Sequence, residues 1–141
     1  MKIVCPTDGS GHSVAALRQL VLRLAWFAQS PQIAVINVHP HLPYARAVAW
    51  AGKDAARRYY DEESAAALAP ATALLDEQGI PYERVQRIGE PAHEIVRFAT
   101  EWNADLIAMG RYGHSAVATL LMGSVTQKVL ATTKLPVLLL Q

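Results

Sequence analysis

The stretch MGRYGHSAVATLLMGSV, residues 109–125, sets glycines at 110, 113 and 123 and a serine at 124 inside one of the most apolar parts of the chain. Gly110 and Gly113 are expected to take positive φ and let backbone N–H groups approach a ligand with no Cβ between. Gly123 and Ser124 stand where a helix should begin, so they offer its unpaired N–H groups and partial positive charge to an anion. Phosphate suits that set, with the Ser115 and Ser124 hydroxyls and Arg111 or His114 as further donors. A second motif, PTDGS at 6–10, supplies Asp8. A bare carboxylate repels phosphate, so Asp8 is expected to accept hydrogen bonds from ribose hydroxyls or to help hold Mg²⁺. Together the motifs point to a nucleotide. The spacing is neither a Walker A loop, which needs Lys-Ser/Thr after its last glycine, nor G-x-G-x-x-G.

Two loops far apart in sequence can share a ligand only if the elements between them bring them together. KIVCP is a short buried strand closed by a turn, and apolar residues at 14, 17, 20, 21, 24 and 25 predict a helix over 12–29, capped by Ser10 or Ser13. IAVINV is a second strand. A long helix is expected over 46–78, closed by Gly79 and Pro81, with Pro70 kinking it or splitting it near Leu68. YERVQRI follows as a third strand. GEPAHEIVRFATEWN then gives a helix with Pro91 in its first turn and an Ile95, Val96, Ala99 stripe. ADLIAMG and LPVLLL are two further strands, separated by the glycine loop and a helix over 124–132.

Five strands alternating with four main helices, the strands nearly all apolar, predict an α/β fold: one doubly wound parallel sheet of order 3-2-1-4-5 with helices on both faces. The winding reverses between the first and fourth strands, and ligands of such sheets bind at that point, outside the carboxyl ends of the strands. PTDGS and the glycine loop both leave from that edge.

Residues 1–141 read as one domain, with 52% hydrophobic residues and a net charge of +1. That balance disfavours nucleic acid, which asks for a broad basic field. The single Cys5 has no internal disulfide partner and reads as an inert small hydrophobe in a reducing, cytoplasmic setting, with no membrane span expected. His39 and His41 flank Pro40 without a third ligand nearby, so no metal site is expected there, and His12 and His93 read as surface residues. The last strand would form an apolar sheet edge that a second copy could cover, unless Pro136 blunts it.

PTDGS, then GEPAHEIVRFATEWNADLIAMG, then G-x2-G-x9-G-S, then PVLLL occur in that order along the whole chain. In this the sequence resembles the ATP-binding subgroup of the universal stress protein (UspA-like) family, with its adenine nucleotide alpha hydrolase-like fold. The resemblance implies that Pro6, Thr7 and Asp8 approach the adenosine and that the Val38 backbone meets the adenine. Met109, Gly110 and Gly113 would lie along ribose and phosphates, and Gly123, Ser124 and Val125 would bind phosphates. It further implies ATP or another adenine nucleotide with Mg²⁺, a homodimer through the C-terminal strand, and a regulatory role in the stress response toward a protein partner the sequence does not name. Two alternatives stand beside it. One is a slow ATPase, with Asp8, Arg111 and His114 the only candidates for the chemistry; the other is an interaction protein of the same fold with an empty pocket. Three retained glycines weigh against an empty pocket, each costing about 0.5–1 kcal/mol relative to alanine.

Overall fold

The computed structural model describes residues 1–41, 53–113 and 122–141. Its elements are β1 (Lys2–Pro6), α1 (Gly11–Val21), a 3-10 turn (Leu24–Trp26), β2 (Gln32–His39), α2 (Lys53–Glu77), β3 (Tyr82–Ile88), α3 (Pro91–Glu101), β4 (Leu106–Gly110), α4 (Ser124–Thr132) and β5 (Val137–Leu140). The strands form one sheet of order β3-β2-β1-β4-β5, every pair parallel, as the alternation predicts. β1 sits at its centre, with Ile3 in register with Ile33 on one side and Leu106 on the other.

Period-2 alternation sends successive strand residues to opposite faces, and both faces are covered, which is why these strands read as continuous apolar runs. Ile3, Cys5, Ile33 and Val35 pack against Leu17 and Leu20 of α1 and Leu68, Ala71 and Leu75 of α2. Val4, Ala34, Ile36, Ile107 and Met109 pack on the other face against Ile95, Phe98 and Ala99 of α3 and Val129 of α4. Most of these side chains are fully buried, and each such burial is worth about 1.5–3 kcal/mol. Cys5 lies in the first of these cores, and burial pushes its thiol up to about 12.

One expected helix end and one of the two outcomes expected at Pro70 need correction. α1 ends at Val21 and not near residue 29; the Leu22 N–H donates to the Arg18 carbonyl at 3.0 Å and the Arg23 N–H to the Leu20 carbonyl at 2.9 Å, and Leu22 and Trp26 beyond it are exposed. Eleven residues of helix span about 16 Å, which matches the roughly 17 Å of the five-residue strand beneath, so further helix would have nothing to cover. Pro70 does not divide α2, which runs through it as one helix. The carbonyl that loses its donor belongs to Ala66, and Ala66 and Pro70 are both exposed, so that carbonyl is open to solvent. The expected helical residues 46–52 lie outside the described residues.

The two sheet edges differ. β3 carries exposed Glu83 and Arg84, charges of the kind that keep an edge from pairing, whereas β5 offers only half-buried Val137, Leu138 and Leu139 before buried Leu140.

Candidate functional site

Beyond the carboxyl ends of β1 and β4 the structure opens into a cleft of about 280 Å³. It lies where the winding reverses. Pro6, Thr7 and Asp8 line it from the end of β1, Val38 from β2, Met109, Gly110 and Gly113 from β4 and its loop, and Gly123, Ser124 and Val125 from the start of α4. All ten site residues expected from the sequence therefore border one space. Seven others border it too: Ser13, Ile36, Pro40, Pro91, Ile95, Tyr112 and Thr126. Three of these had a readable signal. Ile36 shares a strand face with Val38, Ile95 belongs to the α3 stripe, and Thr126 is the third residue of a helix whose start was already located.

The first loop is held by hydroxyls. Ser10 is the N-cap of α1, its Oγ accepting the Ser13 N–H at 3.2 Å. The same Oγ donates to Asp8 Oδ1 at 2.6 Å, and the Ser10 N–H donates to that oxygen at 3.0 Å. Thr7 and Ser13 hydroxyls meet at 3.0 Å, and Asn37 Nδ2 donates to the Thr7 carbonyl at 2.9 Å. Gly9 makes the turn possible at φ 79°, and a Cβ there would lie 2.9 Å from Ala67 Cα, so only glycine lets α2 pack on this loop.

The glycine loop works differently from the expectation. Neither Gly110 nor Gly113 has positive φ; among the described residues the glycines that do are Gly9, Gly79 and Gly89. Gly110 is the last residue of β4, in extended register with Leu140, and a Cβ on it would press 3.0 Å from the Tyr112 carbonyl oxygen. A Cβ on Gly113 would overlap Asp8 Oδ2. The Gly123 amide is not bared toward the cleft but donates to the Arg111 carbonyl at 2.9 Å. Gly110 thus lets backbone 111–113 fold back closely, and Gly113 lets the second loop meet Asp8 of the first, whereas a Cβ on Gly123 would make only ordinary contact. His114 and Ser115, expected as extra donors, lie outside the described residues. Arg111 stacks over the Tyr112 ring at 5.2 Å, and that ring meets His12 edge-on at 6.1 Å.

Two helices begin at this cleft, and only one is open. α3 is capped by Glu90, whose carboxylate accepts the His93 N–H at 2.7 Å and a Lys128 Nζ bond at 3.0 Å, while Pro91 has no N–H to offer. The His93 amide, and after it Lys128, hold the Glu90 carboxyl below its usual range. That N-terminus already carries its own anion. α4 starts at Gly123, which has no side chain to cap it, and the first helical bond runs from Gln127 N–H to the Gly123 carbonyl. The N–H groups of Ser124, Val125 and Thr126 are left without a partner among the described residues, at the positive end of a nine-residue helix. Thr126 Oγ1 donates to the Gly110 carbonyl at 3.1 Å and locks this end of α4 to the end of β4.

The rest of the lining sorts by chemistry. Ile36, Val38, Pro91, Ile95 and Met109 make an apolar wall on the α3 side, fit for a flat ring. Asp8 is the one ionisable carboxylate, and neither Lys, Arg nor His lines the cleft among the described residues. His39 sits instead among Tyr59 and Tyr60, 5.6 and 5.1 Å from their rings. Among the described residues no three His, Cys, Asp or Glu side chains gather as metal ligands, and no helix is long and apolar enough to cross a membrane.

The universal stress protein family model matches residues 1–141. Universal stress protein MJ0531 of Methanocaldococcus jannaschii is 32% identical over 141 residues, covering 99% of this chain and 81% of that one. Among solved structures, the hypothetical protein MJ0577 superposes with a TM-score of 0.79 at 25% identity, over 99% of this chain and 94% of that one. A universal stress protein crystallised in complex with cAMP superposes with a TM-score of 0.70 at 25% identity, over 100% and 97%. With its sheet order, its cleft and a full-length match all in agreement, the chain belongs to the universal stress protein family.

Proposed function

We propose that the cleft binds an adenine nucleotide, ATP in the first instance, and that the chain is a nucleotide-responsive regulator and not a catalyst. One observation carries this reading: Ser124, Val125 and Thr126, the uncapped first turn of α4, line the same space as Asp8 and the apolar wall. Phosphate suits the amides, ribose hydroxyls suit the carboxylate, and the purine suits the wall, so the three parts of a nucleotide match three parts of one cleft. A relative of the same fold in complex with cAMP supports the choice of nucleotide. Pro6, Thr7, Asp8, Val38, Met109, Gly110, Gly113, Gly123, Ser124 and Val125 are the proposed contacts. Mg²⁺ would enter with the phosphates, since one carboxylate plus phosphate oxygens and water is an ordinary magnesium set.

Turnover asks for a base and a cationic group aimed at the transferred phosphoryl. The described lining offers neither: its one carboxylate is already committed through Oδ1 to Ser10. Bound nucleotide would instead change the surface offered to a protein partner in the cytoplasm. The uncharged β5 edge supports a homodimer formed there. Titration calorimetry of nucleotide-free protein with ATP tests the core of the proposal; saturable binding at one site per chain is expected, and the absence of heat at millimolar ATP would overturn it. Phosphate release measured with Mg²⁺ separates a binder from a slow ATPase.

A further inference from the structure

We propose that the turn after α1, with Leu22 and Trp26 at its tip and Arg18 and Arg23 beside them, docks the protein on an anionic bilayer surface. Leu22 is 69% and Trp26 75% exposed, the two most exposed large apolar side chains among the described residues, and they stand four residues apart. The core does not use them: α1 ends at Val21, and it is Leu24 and Phe27 that turn back from this segment to pack inside. The Trp26 indole N–H donates to no described residue.

The charge around the tip has one sign. Arg23 holds its guanidinium 5.2 Å from the centroid of the Trp26 ring and donates to the Gln19 carbonyl at 2.8 Å, while Arg18 lies one helical turn before Leu22 on the same face. Neither arginine pairs with a carboxylate among the described residues, and the sequence carries no Asp or Glu from Gly9 to Lys53. Acids at the same edge of the sheet are Asp76 and Glu77, which close α2, and Asp105, which accepts the Lys2 N–H at 2.7 Å.

A tryptophan with an apolar body and an N–H to donate, next to a leucine and flanked by guanidinium groups, matches a bilayer interface: the ring settles at headgroup level and the arginines meet lipid phosphate. A protein partner fits less well. Each side of a stable protein interface buries about 800 Å², whereas one large aromatic brings about 150–250 Å², and the neighbouring Ala25, Ala28, Gln29 and Ser30 are small or polar. A second copy docking by the same face would set these arginines against their own counterparts. The placement also suits a membrane. The tip lies at the amino edge of the sheet and the cleft beyond its carboxyl edge, so the eight residues of β2, about 26 Å of strand, separate them, and the cleft stays open to solvent when the tip is inserted. Docking therefore does not depend on what the cleft binds.

Co-sedimentation of the full chain with vesicles tests this, phosphatidylcholine alone being compared with an equimolar mixture of phosphatidylcholine and phosphatidylglycerol at one ionic strength. Each arginine near an anionic surface is worth about fivefold in partitioning, so wild type should favour the anionic vesicles by about tenfold or more. Arg18→Gln with Arg23→Gln should reduce that preference to within about threefold. Trp26→Ser should weaken binding to anionic vesicles by about tenfold with an unchanged thermal melt, since the side chain is exposed. Trp26→Phe should keep most of the binding and lose the blue shift of tryptophan emission that wild type shows on those vesicles. Wild type that pellets equally with both vesicles, or with neither, would overturn the assignment, the second result leaving the tip to a protein partner. Trp26→Ser that pellets within about twofold of wild type would overturn it as well. So would a wild-type dimer that Trp26→Ser dissociates in sedimentation equilibrium, because the tip would then belong to a second copy.

Discussion

Replacing Gly123 by aspartate should raise the stability of the free protein while destroying its affinity for ATP. Gly123 already has the N-cap conformation, φ −66° and ψ 148°, and a Cβ there would meet the Arg111 oxygen at 3.4 Å, ordinary van der Waals contact. An aspartate therefore fits without strain, and its carboxylate reaches the first-turn amides of α4 as Glu90 reaches those of α3. Filling an uncapped start adds a few tenths of a kcal/mol for the cap, and the charge at the helix dipole adds about 0.3–1 kcal/mol. For a chain of this length that is about 1–4 °C in Tm. The same carboxylate occupies the phosphate position and repels what it displaces. Losing two hydrogen bonds to a charged group, each worth about 1.5–3 kcal/mol, weakens ATP binding by at least about a hundredfold. Gly123→Asn, which caps without charge, should fall between. Thermal melts of nucleotide-free protein and calorimetry with ATP at one ionic strength check both arms. A Gly123→Asp protein that binds ATP within threefold of wild type would refute the placement of phosphate at α4. One that melts well below wild type would refute the claim that this helix end is merely waiting for an anion.

Other outcomes follow from the same geometry. Gly9→Ala should destabilise the fold by about 2–4 kcal/mol, since it combines a positive φ with a Cβ 2.9 Å from Ala67 backbone, and chemical denaturation should show it. Glu90 has its folded pKa lowered below its ordinary 4.5, so its contribution is present above that value and is lost as pH falls through the lower folded pKa. Glu90→Gln should therefore flatten the acid limb of a stability–pH curve, and Lys128→Met should flatten it less, because the His93 amide is the larger cause. Cys5, buried with its thiol near 12, should resist a thiol-specific reagent at pH 8 in the native protein and react at once in denaturant. Rapid labelling of the native protein would show that the β1 core opens far more readily than its packing implies.

Much of the fold was legible because two signals agreed at the central strands. Ile3–Val4–Cys5 and Ile33 to Ile36 are apolar on both faces, which only a sheet covered on both sides explains, and the spacing of the helices between them then allows little but a parallel order. The position of the cleft followed from topology alone. The extent of α1 was not legible, since Leu24, Ala25 and their neighbours continue the helical period although the strand beneath has ended. Of the two outcomes expected at Pro70, division of the helix did not occur, because the orphaned Ala66 carbonyl lies at an exposed position open to water.

At the site, residue identity was readable and residue use was not. Gly110 and Gly113 marked places where Cβ atoms are excluded, but what excludes them is the Tyr112 carbonyl and the Asp8 carboxylate, a tertiary fact, while Gly123 would accept a Cβ. Likewise the Ser10 hydroxyl read as a cap, whereas its bond to Asp8 becomes visible only once the turn is folded. Tyr112 gave no usable signal, because its place at the cleft depends on His12, a hundred residues earlier in the chain.

The account stands or falls on the amides of Ser124, Val125 and Thr126. Backbone N–H resonances of isotopically labelled protein, followed through titrations with ATP and separately with adenosine, test them directly. ATP should move these three amide protons strongly downfield as charged oxygens take up their bonds, while adenosine should perturb Val38 and Met109 and leave the three nearly still. Saturating ATP that shifts other residues yet leaves Ser124, Val125 and Thr126 where they were would contradict it.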